Sequence, residues 1–218
     1  FINNGIMQNI KEIEDYIVAH GDAEPEFLQR LDRATHLFTI NPRMESGHLQ
    51  GRILKMICRM VAPRRILELG TFTGYSALCM AEALPEDGIL HTIEINDELE
   101  DFIRQHFEMS EFAAKLQLHI GDALKIIPTL DETFDLVFID ADKRLYVEYF
   151  EAVLPKVRTG GFILADNTLW GGKIVEKFAA NDWQTKGILR FNDFIANDNR
   201  IEKVILPLRD GLTLIMKK

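Results

Sequence analysis

The chain has 218 residues and only two cysteines, Cys58 and Cys79. Neither is paired with a second cysteine or a histidine at the spacing that a structural zinc site needs. Each lies inside an apolar helical pattern, which favours a buried free thiol over a disulfide or a metal ligand. Long hydrophobic runs are also missing. None is long enough to cross a bilayer and no secretory leader is seen, so the expectation is a soluble cytoplasmic protein with no membrane partner. A surplus of positive charge is absent as well. Lys and Arg number 25 against 34 Asp and Glu, a formal net charge of -9 that works against non-specific nucleic-acid or anionic-membrane binding. Small substrates therefore start ahead. There is no internal repeat and no low-complexity segment.

What is present is an ordinary globular composition, 47% hydrophobic and 27% charged, on a length that suits one sizeable core. The expected arrangement is one domain over 1–218, with an N-terminal helical cap at 1–62 and an α/β core at 63–218. In the cap, Ile6, Ile10, Ile13 and Ile17 recur at helical spacing, then Phe27, Leu31 and Ala34 after a break at Gly21 and Pro25. Leu49, Ile53, Met56, Ile57 and Met60 make a third stripe. From Arg65 the texture changes to strand and helix in alternation. Strands are expected near 65–69, 89–94, 116–120, 134–140, 161–165, 201–206 and 212–216, with helices between the first six. This is the pattern of a Rossmann-like, doubly wound, mostly parallel seven-stranded sheet. Only Pro207 to Gly211 separates the last two strands, too short for a helical crossover, so the last strand should run antiparallel.

The chemistry gathers where apolar runs end. Phe134 to Ile139 runs into Asp140-Ala141-Asp142-Lys143, and Phe162 to Ala165 runs into Asp166-Asn167. Strand ends of open α/β sheets are where ligands bind. Asp140, Asp166 and Asn167 offer three hard oxygen donors, suited to Mg²⁺, Mn²⁺ or Ca²⁺ rather than zinc. Three protein oxygens leave an octahedral ion room for two neighbouring substrate oxygens and a water, which favours a vicinal diol. Lys143, three residues after Asp140, is placed to take a hydroxyl proton, provided a nearby dication disfavours its charged form. Asp142 reads as a capping residue. Further ends are Glu68-Leu69-Gly70 with Gly74, Ile93-Glu94 and Gly121-Asp122-Ala123. Gly70 permits a tight turn, Glu68 adds a carboxylate that would repel a pyrophosphate, Glu94 can accept ribose hydroxyls, and Asp122 with Ala123 suits an adenine edge. Trp170 opens a loop to Asp182 beside Gly171 and Gly172, and can wall an aromatic acceptor or pack the loop.

Taken as a set, Leu67 to Ser76, Thr92 to Asn96, Gly121 to Ala123, Phe138 to Lys143 and Ala165 to Trp170 resemble the cation-dependent O-methyltransferases of the catechol and caffeoyl-CoA type. The resemblance runs from about Met44 to the C-terminus and includes Asp210-Gly211. It implies S-adenosylmethionine as cofactor, with Glu68 and Gly70 at the methionine end, Tyr75 and Ser76 flanking it, Glu94 on the ribose, and Asp122 and Ala123 at the adenine. It also implies that Met44 to Gly47 covers the cofactor, that Asp140 serves cofactor, metal and catalysis together, and that Asp166 and Asn167 complete the metal site. Family members act on small aromatic diols and are often homodimers; bacterial ones include tRNA hydroxyuridine methyltransferases, against which the acidic balance argues. No basic cluster for a CoA phosphate stands out in the N-terminal helices. A dinucleotide oxidoreductase and a non-catalytic cofactor-binding protein are the remaining alternatives.

Overall fold

The computed structural model describes residues 10–218, so Ile6 lies outside the described residues. Among the described residues three helices precede the sheet: α1 (Ile10–His20), α2 (Glu26–Phe38) and α3 (Gly47–Val61). The sheet strands are β1 (Arg65–Leu69), β2 (Ile89–Glu94), β3 (Leu116–Ile120), β4 (Phe134–Ile139), β5 (Val157–Ala165), β6 (Ile201–Leu206) and β7 (Leu212–Lys217). Between them run α4 (Tyr75–Ala81), α5 (Glu100–Glu108), α6 (Ala123–Ile126), α7 (Tyr146–Val153) and α8 (Trp183–Ala196).

The spatial strand order is β3-β2-β1-β4-β5-β7-β6. The first five are mutually parallel, and β7 is antiparallel to both β5 and β6. Strands β1 and β4 are buried on both faces and read as nearly unbroken apolar runs, as central parallel strands must. Chain order reverses between them, and that is where an α/β sheet opens a crevice at its carboxyl edge. Backbone hydrogen bonds tie the tips into one row: Gly121 N–H to Glu94 O at 2.8 Å, Gly70 N–H to Ile93 O at 2.9 Å, Asp140 N–H to Leu69 O at 2.9 Å and Asp166 N–H to Ile139 O at 3.0 Å.

Two apolar cores lie on opposite faces of the sheet. Leu28, Leu54, Ile66, Leu78 and Phe138 belong to one, Leu67, Val137, Phe150, Ile163 and Phe191 to the other. Cys58 and Cys79 are free and buried, and burial pushes each thiol up to about 12, which leaves them unreactive.

Three expectations shift. In α3 the buried face is Gln50, Gly51, Leu54, Ile57 and Cys58, while Met56 and Met60 are exposed. The apolar stripe was wide enough to admit two faces, and close packing on α4 selects the one with the small Gly51, whose added Cβ would meet Cys79 Sγ at 2.5 Å. Ile13 and Ile17 of α1 are helical as expected but more than two-fifths exposed, at 43% and 42%. Strand β5 begins at Val157 rather than 161, because Arg158 and Thr159 are exposed and give no apolar signal.

Candidate active site

A cleft of about 1300 Å³ opens along the row of strand tips. Its floor begins at Gly70. That residue has φ +96°, and a Cβ there would sit 2.1 Å from Asp140 O, so only glycine allows the two tips to approach. The turn Thr71 to Gly74 leads into α4, whose first residues Tyr75 and Ser76 line the cleft. Tyr75 is buried and its hydroxyl donates to Glu24.

Glu94 lies at the tip of β2. Its carboxylate accepts from Phe72 N–H at 2.7 Å and Asn96 N–H at 2.9 Å. Burial raises its pKa and these backbone donors oppose the rise. The carboxylate is thus pinned between two loops at the cleft wall. Beyond it, Asp122 caps α6 by accepting from Leu124 N–H at 3.0 Å, and Ala123 is buried beside it. Both line the cleft. Met44 is 62% exposed and also lines it, so it is no core filler.

Glu68 needs a correction. Its side chain is fully buried, accepting from Ser76 Oγ at 2.5 Å and Thr92 Oγ1 at 2.6 Å, and it forms no part of the cleft wall. The reason is the alternation of β1: Glu68 points to the same face as Ile66, into the core beneath α4. Burial pushes its carboxyl up to about 8 against those two hydroxyl donors. It therefore braces the turn through Ser76 and Thr92 and does not present a free anion to a cationic ligand.

Asp140, Asp166 and Asn167 do come together, at the tips of β4 and β5 and on the cleft wall. Asp166 is buried; Gln50 Nε2 donates to its Oδ2 at 2.6 Å and Asn167 N–H to its Oδ1 at 2.8 Å. Burial and then the neighbouring Asp140 push its carboxyl up to about 6. Asn167 adopts φ +58°, a left-handed conformation that Asn tolerates, and its Nδ2 donates to Asp210 at 3.4 Å. With the nitrogen turned to Asp210, the amide oxygen is the atom left for a hard cation. Two crowded carboxylates and an amide oxygen are a fitting donor set for Mg²⁺, Mn²⁺ or Ca²⁺. Among the described residues no group of three or more His, Cys, Asp or Glu side chains is placed to hold a metal ion.

Lys143 is buried and donates to Asp140 Oδ1 at 2.6 Å and Tyr146 Oη at 2.8 Å. The neutral amine is expected beside a dication; without one the balance runs the other way. Burial works to lower its pKa, but the Tyr146 hydroxyl and the Asp140 carboxylate outweigh burial and hold the ammonium charged. Asp142 caps the following turn as expected, accepting from Arg144 N–H at 3.0 Å. Trp170 stands in the wall at φ +48°, partly packed on the second core.

Sequence reasoning missed Gln50, Tyr146 and Arg209, and did not single out Glu45 within the 44–47 segment. Gln50 had one signal, a polar residue on the buried face of an amphipathic helix. Tyr146 follows Lys143 at helical spacing, and its hydroxyl donates to Asp166 O at 3.0 Å. Glu45 lines the cleft, and burial pushes it up to about 7.

Comparisons with known proteins give the family. The profile described as O-methyltransferase matches residues 18–218. Caffeoyl-CoA O-methyltransferase of Stellaria longipes is 30% identical over 97% of this chain and 92% of its own length. Caffeoyl-CoA O-methyltransferase 1 of Zea mays is 35% identical, over 88% of this chain and 78% of that protein. The O-methyltransferase TomG of Streptomyces achromogenes, in complex with SAM, superposes with a TM-score of 0.88 at 31% identity, covering 95% of this chain and 96% of that one. SAH-bound PaMTH1 of Podospora anserina gives a TM-score of 0.90 at 26% identity, covering 100% and 98%. The chain belongs to the O-methyltransferase family.

Proposed function

We propose that this protein is an S-adenosylmethionine- and divalent-metal-dependent O-methyltransferase that methylates one hydroxyl of a catechol-like small molecule. The observation that carries the reading is the convergence of Asp140, Asp166 and the free amide oxygen of Asn167 on a cleft whose other end holds Glu94. The SAM- and SAH-bound relatives support the cofactor. Bound in the cleft, it would supply a sulfonium methyl for the acceptor oxygen, the bonding pair of the broken S–CH₃ bond staying on sulfur. A divalent ion held by Asp140, Asp166 and Asn167 would orient two neighbouring oxygens and lower the pKa of the attacking hydroxyl. Lys143 lies at the ion-binding edge beside Asp140, where it stabilises negative charge on the attacking oxygen as an ammonium or, once deprotonated, takes the hydroxyl proton, while Trp170 walls the aromatic ring.

Polynucleotide substrates are disfavoured by the same wall. Lys143 and Arg144, two of its cations, are paired with Asp140 and Asp142, and the formal net charge of -9 adds to the repulsion of a phosphate backbone. The small diol is tested with a pair of acceptors, catechol and a monophenol of the same shape, at saturating cofactor with Mg²⁺. Catechol should be methylated once and the monophenol not, because a single oxygen occupies one coordination position and leaves the ring free to swing. Equal kcat/KM for the two would refute bidentate binding.

The cofactor end has its own test. Glu94→Ala removes a carboxylate assigned to two ribose hydroxyls, and hydrogen bonds to a charged group contribute about 1.5–3 kcal/mol each. SAH affinity measured by calorimetry is expected to fall by at least about tenfold. An unchanged dissociation constant would remove Glu94 from the ribose site.

A further inference from the structure

Asp166 is the best-supported of the three proposed ligands, and what holds it comes from two distant parts of the chain. Gln50 lies in α3, 5% exposed, with its Nε2 on Asp166 Oδ2 at 2.6 Å. Arg209 stands in the turn between β6 and β7 at φ +48°. Its Nη1 donates both to Gln50 Oε1 and to the carbonyl of Ser46. The direction of the Gln50 amide follows from its neighbours. Turned over, its NH₂ would face the guanidinium donor and its oxygen would face the carboxylate, leaving both contacts repulsive. A cationic donor on one side and an anionic acceptor on the other admit a single orientation.

We propose that Gln50 and Arg209 are positioning residues for the metal site: Arg209 fixes the Gln50 amide, and the amide fixes the Asp166 carboxylate for ion binding. The proposal rests on the metal-dependent reading given above. With Oδ2 held by Gln50 and Oδ1 by the Asn167 N–H, the carboxylate has one rotamer and keeps its remaining lone pairs for an ion. The second bond of Arg209, to Ser46, joins this chain of contacts to the 42–46 segment at the cleft wall. A coordination site assembled from β4, β5, α3 and the β6–β7 turn is thereby referenced to all four. Partners that orient a ligating carboxylate typically carry about 10–100-fold in metal affinity.

The test is Mn²⁺ binding measured by calorimetry, without cofactor or acceptor, on wild type, Gln50→Leu, Arg209→Met, Arg209→Lys and Asp166→Ala, with SAH affinity measured alongside. Gln50→Leu and Arg209→Met should weaken Mn²⁺ binding about 10–100-fold. Arg209→Lys, which keeps a cationic donor, should recover most of it, and Arg209→Met should add little in the Gln50→Leu background because both act through one amide. Arg209 is exposed, so its variants report even if Gln50→Leu folds poorly. Mn²⁺ affinity unchanged in Arg209→Met while SAH binding weakens would make Arg209 a clamp on the 42–46 segment alone and overturn the proposal. Wild-type Mn²⁺ binding that depends on Asp166 but not on Gln50 overturns it too, with the metal reading intact. No Mn²⁺ binding by wild type defeats both.

Discussion

Replacing Asp166 by Ala is expected to lower methyl transfer by about a thousandfold while SAH still binds. Metal stabilisation of developing charge amounts to several kcal/mol, and about 4 kcal/mol corresponds to that factor. The proposed cofactor end is built separately from Asp166, around Glu94 with Phe72 and Asn96, so SAH affinity should change little. Removal of divalent ions from the wild-type protein by a chelator should reproduce the effect. The fold should tolerate the change: the Gln50 N–H loses its acceptor, at a cost of about 1–3 kcal/mol, but the crowding of Asp166 against Asp140 disappears. The pH dependence of stability supplies an independent check. In the metal-free protein the Asp166 carboxyl is pushed up to about 6 from its ordinary 3.8, so between these values the folded state binds more protons than the unfolded one. Its contribution to stability is present at pH below about 4 and is lost as pH rises through 6. Asp166→Ala should flatten that part of the stability profile. Turnover within a few-fold of wild type in metal-free buffer would remove the ion from the mechanism.

The strand tips were legible because a buried apolar run that stops at an acidic residue marks a sheet edge, and Asp140, Asp166 and Glu94 all lie where such runs end. Glu68 was misplaced for a reason equally readable in the sequence. It shares a face with Ile66, two residues away, and alternation sends both under α4. The Gln50–Arg209 contact joins residues 159 positions apart and depends on β7 folding back beside β5, which brings Asp210 and Gly211 next to Thr168 and Leu169. No local pattern encodes it. At that junction Gly211, at φ +89°, lies so close to Leu169 that a Cβ would be 2.5 Å from its side chain. The ionic state of Lys143 was also beyond the sequence, since it is set by the Asp140 and Tyr146 contacts together.

Lys143→Met is expected to reduce kcat by about 10² to 10⁴ with a smaller change in acceptor KM, the signature of a group needed in the transition state and not for docking. The structure gives this residue two ways to act, and they predict different rescues. As the charged partner of Asp140 it stabilises negative charge on the acceptor oxygen; as a free amine it accepts the hydroxyl proton. The contacts to Asp140 and Tyr146 favour the ammonium, so the base role requires that the Asp140 charge be engaged elsewhere during turnover. Lys143→Arg keeps the cation and cannot act as a base near neutral pH. If charge stabilisation dominates, Arg should restore a large part of kcat and the pH profile should stay flat. If proton transfer dominates, Arg should be as poor as Met, and wild-type kcat should rise with pH along an ionisation that both variants lack. A Lys143→Met enzyme within a few-fold of wild type across the pH range would assign hydroxyl activation to the metal site alone.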